Sequence, residues 1–308
     1  MKPSQYILLL AYFMASFLWG ATGERDPSAP KGGWVPPTEK ELKMVESAIP
    51  EKLPAEPRKD RKLLIYSLSH GFKHNSRLIG EEMLKLIEGK TGAFSMTINN
   101  DSTQWTTAYL KQFDAIAVLN ATGLHNGFKG ENRQAFLDFV YDGGGLFGCH
   151  AATDGGKKWW PEYSELWGGA FGGHPWGKTG TWQIQNYDPR HALNKCFHGE
   201  GFDINDELYR QVHPYRKGCF RTLTCIDLSA KQNTHNNNGK IKTVPPEKER
   251  KPGEPKPANV PLNLEREYPT SWCKKAGKGR VFYATFGHNE SAYRDSKIVE
   301  HYLRGLQY

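Results

Sequence analysis

The stretch GGGLFGCHAATD, residues 143–154, decides how this chain is read. Three glycines lead into a short apolar run, and Gly148-Cys149-His150-Ala151-Ala152 then reads as a strand entering a tight turn and a helix. In α/β enzymes a turn of this kind presents a reactive side chain at the end of a buried strand. Three readings are open: Cys149 as a nucleophile, His150 as the working residue, or a tightly packed strand end.

The neighbouring sequence repeats the same rhythm. LLIYSL (63–68), DAIAVLNAT (114–122) and GLFGC (145–149) are continuous apolar runs, as expected for strands buried on both faces. AFSMTIN (93–99) reads as a further strand. Between them, Leu78, Ile79, Met83, Leu86 and Ile87 recur at helical spacing over 76–89, and 104–112 and 132–143 also read as helices. Strand and helix in alternation predict an α/β fold with a doubly wound, mostly parallel sheet, to which RVFYATFG (280–287) adds a last strand. The later half is otherwise read as irregular.

Such sheets carry their functional cleft beyond the carboxyl ends of the strands. Those ends hold SHGFKHNS, TGLHNGF, HAATDGG and GHNESAYRD, so His70, His74, His125, His150 and His288 converge on one rim. Any one of the 11 histidines can be structural; several on one rim point to a shared site. His150 is expected to move a proton or to bind a metal. Asp154 and Lys73 are its candidate catalytic partners. As a metal ligand, His150 would join His74, His174 or His288 with an acid such as Asp154, Asp203 or Glu207, the set His150, His174 and His288 being preferred, and would hold a divalent ion (zinc or similar), although no H-x-x-x-H or H-E-x-x-H signature is present. The aromatic and glycine-rich 159–182 suits a wall that stacks on a sugar, which makes Trp159, Trp160 and Trp176 candidate substrate contacts beside His70, His74 and Glu207. The acids Asp203 and Asp206 lie close by in sequence. No nucleotide cofactor is expected.

Composition sets the outer limits. A chain of 308 residues with 12% aromatics supports a packed core and excludes a disordered protein. Lys2 followed by the apolar 6–20 and by Ala21-Thr22-Gly23 reads as a secretory signal over 1–23, implying a secreted or periplasmic protein with no membrane span once the signal is removed. Residues 24–60 read as an extended linker in which ELKMVESAI (41–49) can form a short helix, and 61–308 as the folded domain with a flexible insertion near 228–262. The net charge of +8 gathers in loops and not on a basic helix, which argues against nucleic acid as a partner. Export would place Cys149, Cys196, Cys219, Cys225 and Cys273 where disulfides form, and their odd number makes Cys149 the candidate left unpaired.

Four blocks in this order, SLSHGFKHNS, GGGLFGCHAATD, GGAFGGHP and GRVFYATFGHNESAY, resemble the ThuA-like (trehalose utilisation) family, over about residues 61–308. The resemblance implies the flavodoxin-type fold of class I glutamine amidotransferases. It also implies chemistry on a sugar or an oxidised (3-keto) sugar derivative, of isomerase, lyase or hydrolase type. Amidotransferases of that fold carry a Gly-x-Cys-x-Gly elbow, and here the central position holds His150. Cys149 lies one residue early, so strand alternation should turn its thiol into the packing and away from the cleft. A glutaminase is therefore not expected. A non-catalytic carbohydrate-binding protein on the same fold is the alternative.

Overall fold

The structure is a computed structural model and describes residues 34–236, 239–240 and 266–308. The expected signal over 1–23 lies outside the described residues, as does all of 241–262. Among the described residues no helix is long and apolar enough to cross a membrane.

One sheet of nine strands organises the chain. In chain order the strands are β1 (Lys62–Tyr66), β2 (Ser95–Ile98), β3 (Ala115–Leu119), β4 (Gly145–Cys149), β5 (Thr181–Asn186), β6 (Phe202–Asn205), β7 (Arg221–Ile226), β8 (Pro269–Ala276) and β9 (Gly279–Ala284). Their spatial order is β2-β1-β3-β4-β9-β8-β7-β5-β6. From β2 to β9 the neighbours run parallel, and from β9 to β6 they run antiparallel. The sheet is thus mixed, with a parallel half as the sequence predicts and an antiparallel half built from the stretch read as irregular.

Helices cover both faces because the strands bury both. Along β1, Leu63 and Ile65 join one core, while Leu64 and Tyr66 join the other. The first core also takes in Ile79 and Met83 of α2 (Ser76–Thr91) and Ile298 and Val299 of α5 (Ser296–Leu306). The second takes in Phe136 of α3 (Gly130–Tyr141) and Leu166 of α4 (Pro161–Trp167). The helix expected over 104–112 is reduced to a 3₁₀ turn at Ser102–Gln104 and one turn at Thr107–Leu110, because Thr106 caps the second turn through Tyr109.

Three sequence expectations need correction. The linker reading fails over 38–49: α1 (Glu39–Ala48) is closed by a capping box between Thr38 and Glu41 and buries Val45, Ala48 and Ile49 in the first core. The insertion begins later than 228, since a helical turn at Lys231–Thr234 buries Asn233, whose amide bonds the Gln183 and Asp227 carbonyls at 2.7 and 2.6 Å. All five cysteines are free thiols. On the paired strands β7 and β8, Cys273 faces Arg221 and Cys225 faces Pro269, so the register holds these two thiols apart.

Candidate functional site

Strand β4 ends at Cys149, and the backbone turns at His150 with φ of 42°. A non-glycine residue seldom adopts this left-handed conformation, which costs about 1–3 kcal/mol and needs support from its surroundings. Tyr283 donates its hydroxyl to the His150 carbonyl at 2.6 Å, and the imidazole Nδ1 lies 2.9 Å from the Thr285 carbonyl. A carbonyl can only accept, so Nδ1 carries the proton and Nε2 keeps its lone pair. That Nε2 points toward His74 Nε2, 3.2 Å away.

His74 comes from the turn after β1, and His288 from the loop after β9. The three rings stand nearly perpendicular to one another, at 88°, 88° and 84°, with centroids 4.7–5.2 Å apart. One ring nitrogen from each lies within 4.8 Å of the other two. Burial pushes the basicity of His74 down to about 3 and that of His150 well below the usual imidazole range, and neighbouring histidines add to the effect. Both rings are therefore neutral at physiological pH.

Glu207 closes the open side. Its Oε1 lies 3.3 Å from His288 Nδ1 and 3.9 Å from His150 Nε2, and its Oε2 lies 3.4 Å from His174 Nδ1. The contact to His288 Nδ1 is close but lies off the line of a hydrogen bond. His174 is half exposed, with 52% of its side chain reaching solvent. Phe72, 65% exposed, leans over His74 and His288 with centroids 4.7 and 6.2 Å away. Tyr209 packs on His150 from below at 4.3 Å.

Asp206, next to Glu207, is wholly buried and receives three backbone N–H groups. Gly287 donates to Oδ2 at 2.6 Å, while Asn289 and Glu207 donate to Oδ1 at 2.7 and 2.9 Å. One carboxylate thus grips the chain on both sides of His288 and fixes the start of Glu207. Burial pushes Asp206 up to about 7 against the downward pull of these donors.

Of the residues singled out in the sequence, the fold brings together His74, His150, His288, Glu207 and, at the rim, His174. His174, the preferred ligand beside His150 and His288, stands at the outer edge, and His74, the other candidate, completes the tight trio. Lys73 precedes His74 on the same turn and is half-buried. Asp154 turns to an ion pair with Lys157. His70 bonds the Tyr66 hydroxyl at 2.9 Å, and His125 bonds the Gly155 carbonyl at 2.9 Å. Trp159 is 52% exposed and stacks on His125, so part of one ring face is already covered. Trp160 and Trp176 cannot contact a substrate: both are buried in the core, and Trp176 donates its indole N–H to the Asn233 carbonyl. Asp203 lies on β6 between inward Phe202 and Ile204 and therefore faces solvent. Residues not anticipated at the site are Phe72, Tyr209 and Thr285. Phe72 sits inside the SHGFKHNS block, and Tyr209 two positions after Glu207, so the signal was adjacency to residues already chosen.

Cys149 faces away from this cleft. Its thiol is buried between Asn120 Oδ1 at 3.8 Å and the Tyr293 hydroxyl at 3.6 Å, and burial pushes it up to about 12. At neutral pH it is a thiol and not the thiolate that nucleophilic attack requires.

Fold and site together define a class: an α/β protein with the glutamine amidotransferase-like fold in which a histidine stands at the strand-to-helix elbow. The profile of the ThuA family, described as trehalose utilisation, matches residues 62–308, and the chain belongs to that family. Among solved structures, it is similar to a ThuA-like protein from Bacteroides uniformis, with 19% identity and a TM-score of 0.59 over 82% of this chain and 93% of that one. A ThuA-like protein from Parabacteroides merdae gives 18% identity and a TM-score of 0.53 over 80% and 88%. These likenesses concern the fold alone. No curated protein matches the chain.

Proposed function

We propose that the protein acts on a sugar or an oxidised (3-keto) sugar derivative by proton transfer at the His74–His150–His288–Glu207 cluster, as an isomerase, lyase or hydrolase. The observation that carries this reading is the convergence of three imidazoles on one point with a carboxylate within 4 Å of two of them. The family's description as trehalose utilisation supports the substrate class.

A carbonyl acidifies the C–H beside it. Glu207, whose carboxylate faces His150, His174 and His288, takes that proton. The C–H electron pair moves into the carbonyl, and the resulting enolate oxygen requires a hydrogen-bond donor or a cation beside Glu207. Return of the proton to the neighbouring carbon gives isomerisation; loss of a substituent one carbon further gives elimination. His150 is wholly buried and weakly basic, so its role is to present Nε2 in a fixed direction, and the proton belongs to Glu207. His174, against the outer oxygen of Glu207, connects the base to water. The signal read over residues 1–23 supports export of this activity as part of the same proposal.

The test is deuterium exchange at carbon beside the carbonyl of a 3-keto-glucoside in D2O, followed by proton NMR. The wild type should exchange, and Glu207→Gln should slow exchange by about 10²–10⁴-fold. Exchange at the wild-type rate in Glu207→Gln would remove it as the base. A folded wild type that binds glycosides without exchanging or converting any keto-sugar would instead make this a carbohydrate-binding protein.

A further inference from the structure

We propose that His74, His150 and His288 hold one divalent transition-metal ion of the zinc type, with Glu207 on its open side and His174 outside the ligand set. The inference rests on reading this cluster as the working site, and it adds an ion to that reading.

The spacing carries the argument. Two imidazole nitrogens bound tetrahedrally to zinc at about 2.0–2.1 Å stand about 3.3 Å apart. His74 Nε2 and His150 Nε2 are 3.2 Å apart, and a nitrogen of His288 falls within 4.8 Å of both. A direct hydrogen bond between the two rings would also explain the 3.2 Å pair. It would leave unexplained why His288 is turned edge-on to both rings, and why Glu207 Oε1 approaches His288 Nδ1 off the hydrogen-bond line. A cation between these groups accounts for all three observations.

The donor chemistry agrees. The His150 Nδ1–H to Thr285 carbonyl bond fixes the tautomer that turns a lone pair inward, which is the usual outer support of a metal-bound histidine. Imidazoles without thiolates suit zinc, nickel, copper or iron better than magnesium or calcium, and Cys149 is turned away. Three nitrogen ligands with an open fourth position are the composition of a catalytic centre and not of a structural one. Beside Glu207, such an ion would polarise the carbonyl whose neighbouring proton the carboxylate removes.

The experiment uses the full chain, stripped with chelator and titrated with zinc chloride by calorimetry, then with cobalt(II) to read its visible absorption. About one equivalent should bind, and His74→Ala and His288→Ala should each weaken binding by about 100-fold or more, whereas His174→Ala stays within about threefold. The thermal midpoint of each stripped variant shows that it is folded; His288, only partly buried, is the safeguard if His74→Ala is not. A folded wild type that takes up neither ion overturns the proposal. So does loss of binding in His174→Ala with retention in His74→Ala. Because the titration involves no substrate, the two readings separate: metal binding without keto-sugar exchange removes the proposed function alone, and keto-sugar exchange by a protein that takes up neither ion removes the metal alone.

Discussion

Gly148 shows how little room the elbow has. A Cβ at this position would stand 2.5 Å from the Trp167 ring and 2.8 Å from the Ala152 Cβ. Trp167 is wholly buried, its ring wedged among Tyr163 and Tyr283, and it cannot withdraw. Gly148→Ala should therefore destabilise the protein by about 1–3 kcal/mol, the cost of overpacking, read as a lower urea midpoint with an unchanged slope. A midpoint equal to the wild type would mean that the elbow can relax. One residue further, the thiol of Cys149 should resist iodoacetamide in the native protein and react only after unfolding, followed on its tryptic peptide by mass spectrometry. Labelling of native protein at the rate of an exposed thiol would contradict the buried, high-pKa environment described for it.

At the scale of elements, the loop after β9 makes two of its backbone hydrogen bonds to Asp206, which lies outside it. Asp206→Asn replaces one acceptor by an NH2 group and sets donor against donor at Gly287 or Asn289. A buried N–H left without its partner costs about 1–3 kcal/mol. The amides of Gly287 and Asn289 should then exchange with deuterium faster than in the wild type, while those of β1 and β3 do not; uniform exchange across the sheet would place the effect elsewhere. This dependence also marks what the sequence could convey. Leu63–Tyr66, Ala115–Leu119 and Gly145–Cys149 were legible because burial on both faces leaves an uninterrupted apolar run. His150 and His288 were legible because they end such runs. Trp160 and Trp176 were misplaced because clustered tryptophans and glycines look alike whether they line a cleft or fill a core. TWQIQN did alternate, with Trp182, Ile184 and Asn186 inward, and its period of two was the missed signal for β5. β8 gave little signal, since its buried Thr270 and Ser271 are polar and take their partners from other elements.

Across the whole molecule, one buried polar chain joins the antiparallel half of the sheet to the last helix. His301 of α5 is fully buried; Nδ1 donates to the Leu193 carbonyl at 2.9 Å, and Nε2 accepts from the Ser271 hydroxyl at 2.9 Å. Ser271 continues to Thr224 at 2.7 Å and Thr224 to Thr270 at 2.7 Å, while the Cys196 thiol lies 3.9 Å from His301 Nδ1. The neutral imidazole satisfies both of its neighbours, and burial, with smaller contributions from Arg304 and His191, pushes its basicity down from 6.5 to about 4. Between those two values the unfolded chain binds the proton and the folded chain refuses it. Stability is then fully present above pH 6.5, falls as the pH drops toward 4, and changes no further from this group below that. The loss assigned to His301 over that window is on the order of 3 kcal/mol. His74 shifts in the same direction, so the slope of the wild type contains more than one histidine. Comparison with His301→Asn isolates the one: an amide can replace the donor to Leu193 without titrating. Urea unfolding in chelator at pH 7 and pH 4 should show a smaller loss in His301→Asn than in the wild type, with the two proteins closer in stability at pH 4 than at pH 7. Equal losses in both would mean that His301 is protonated in the folded protein as readily as in the unfolded chain, and the acid sensitivity of the fold would then lie with its other buried groups.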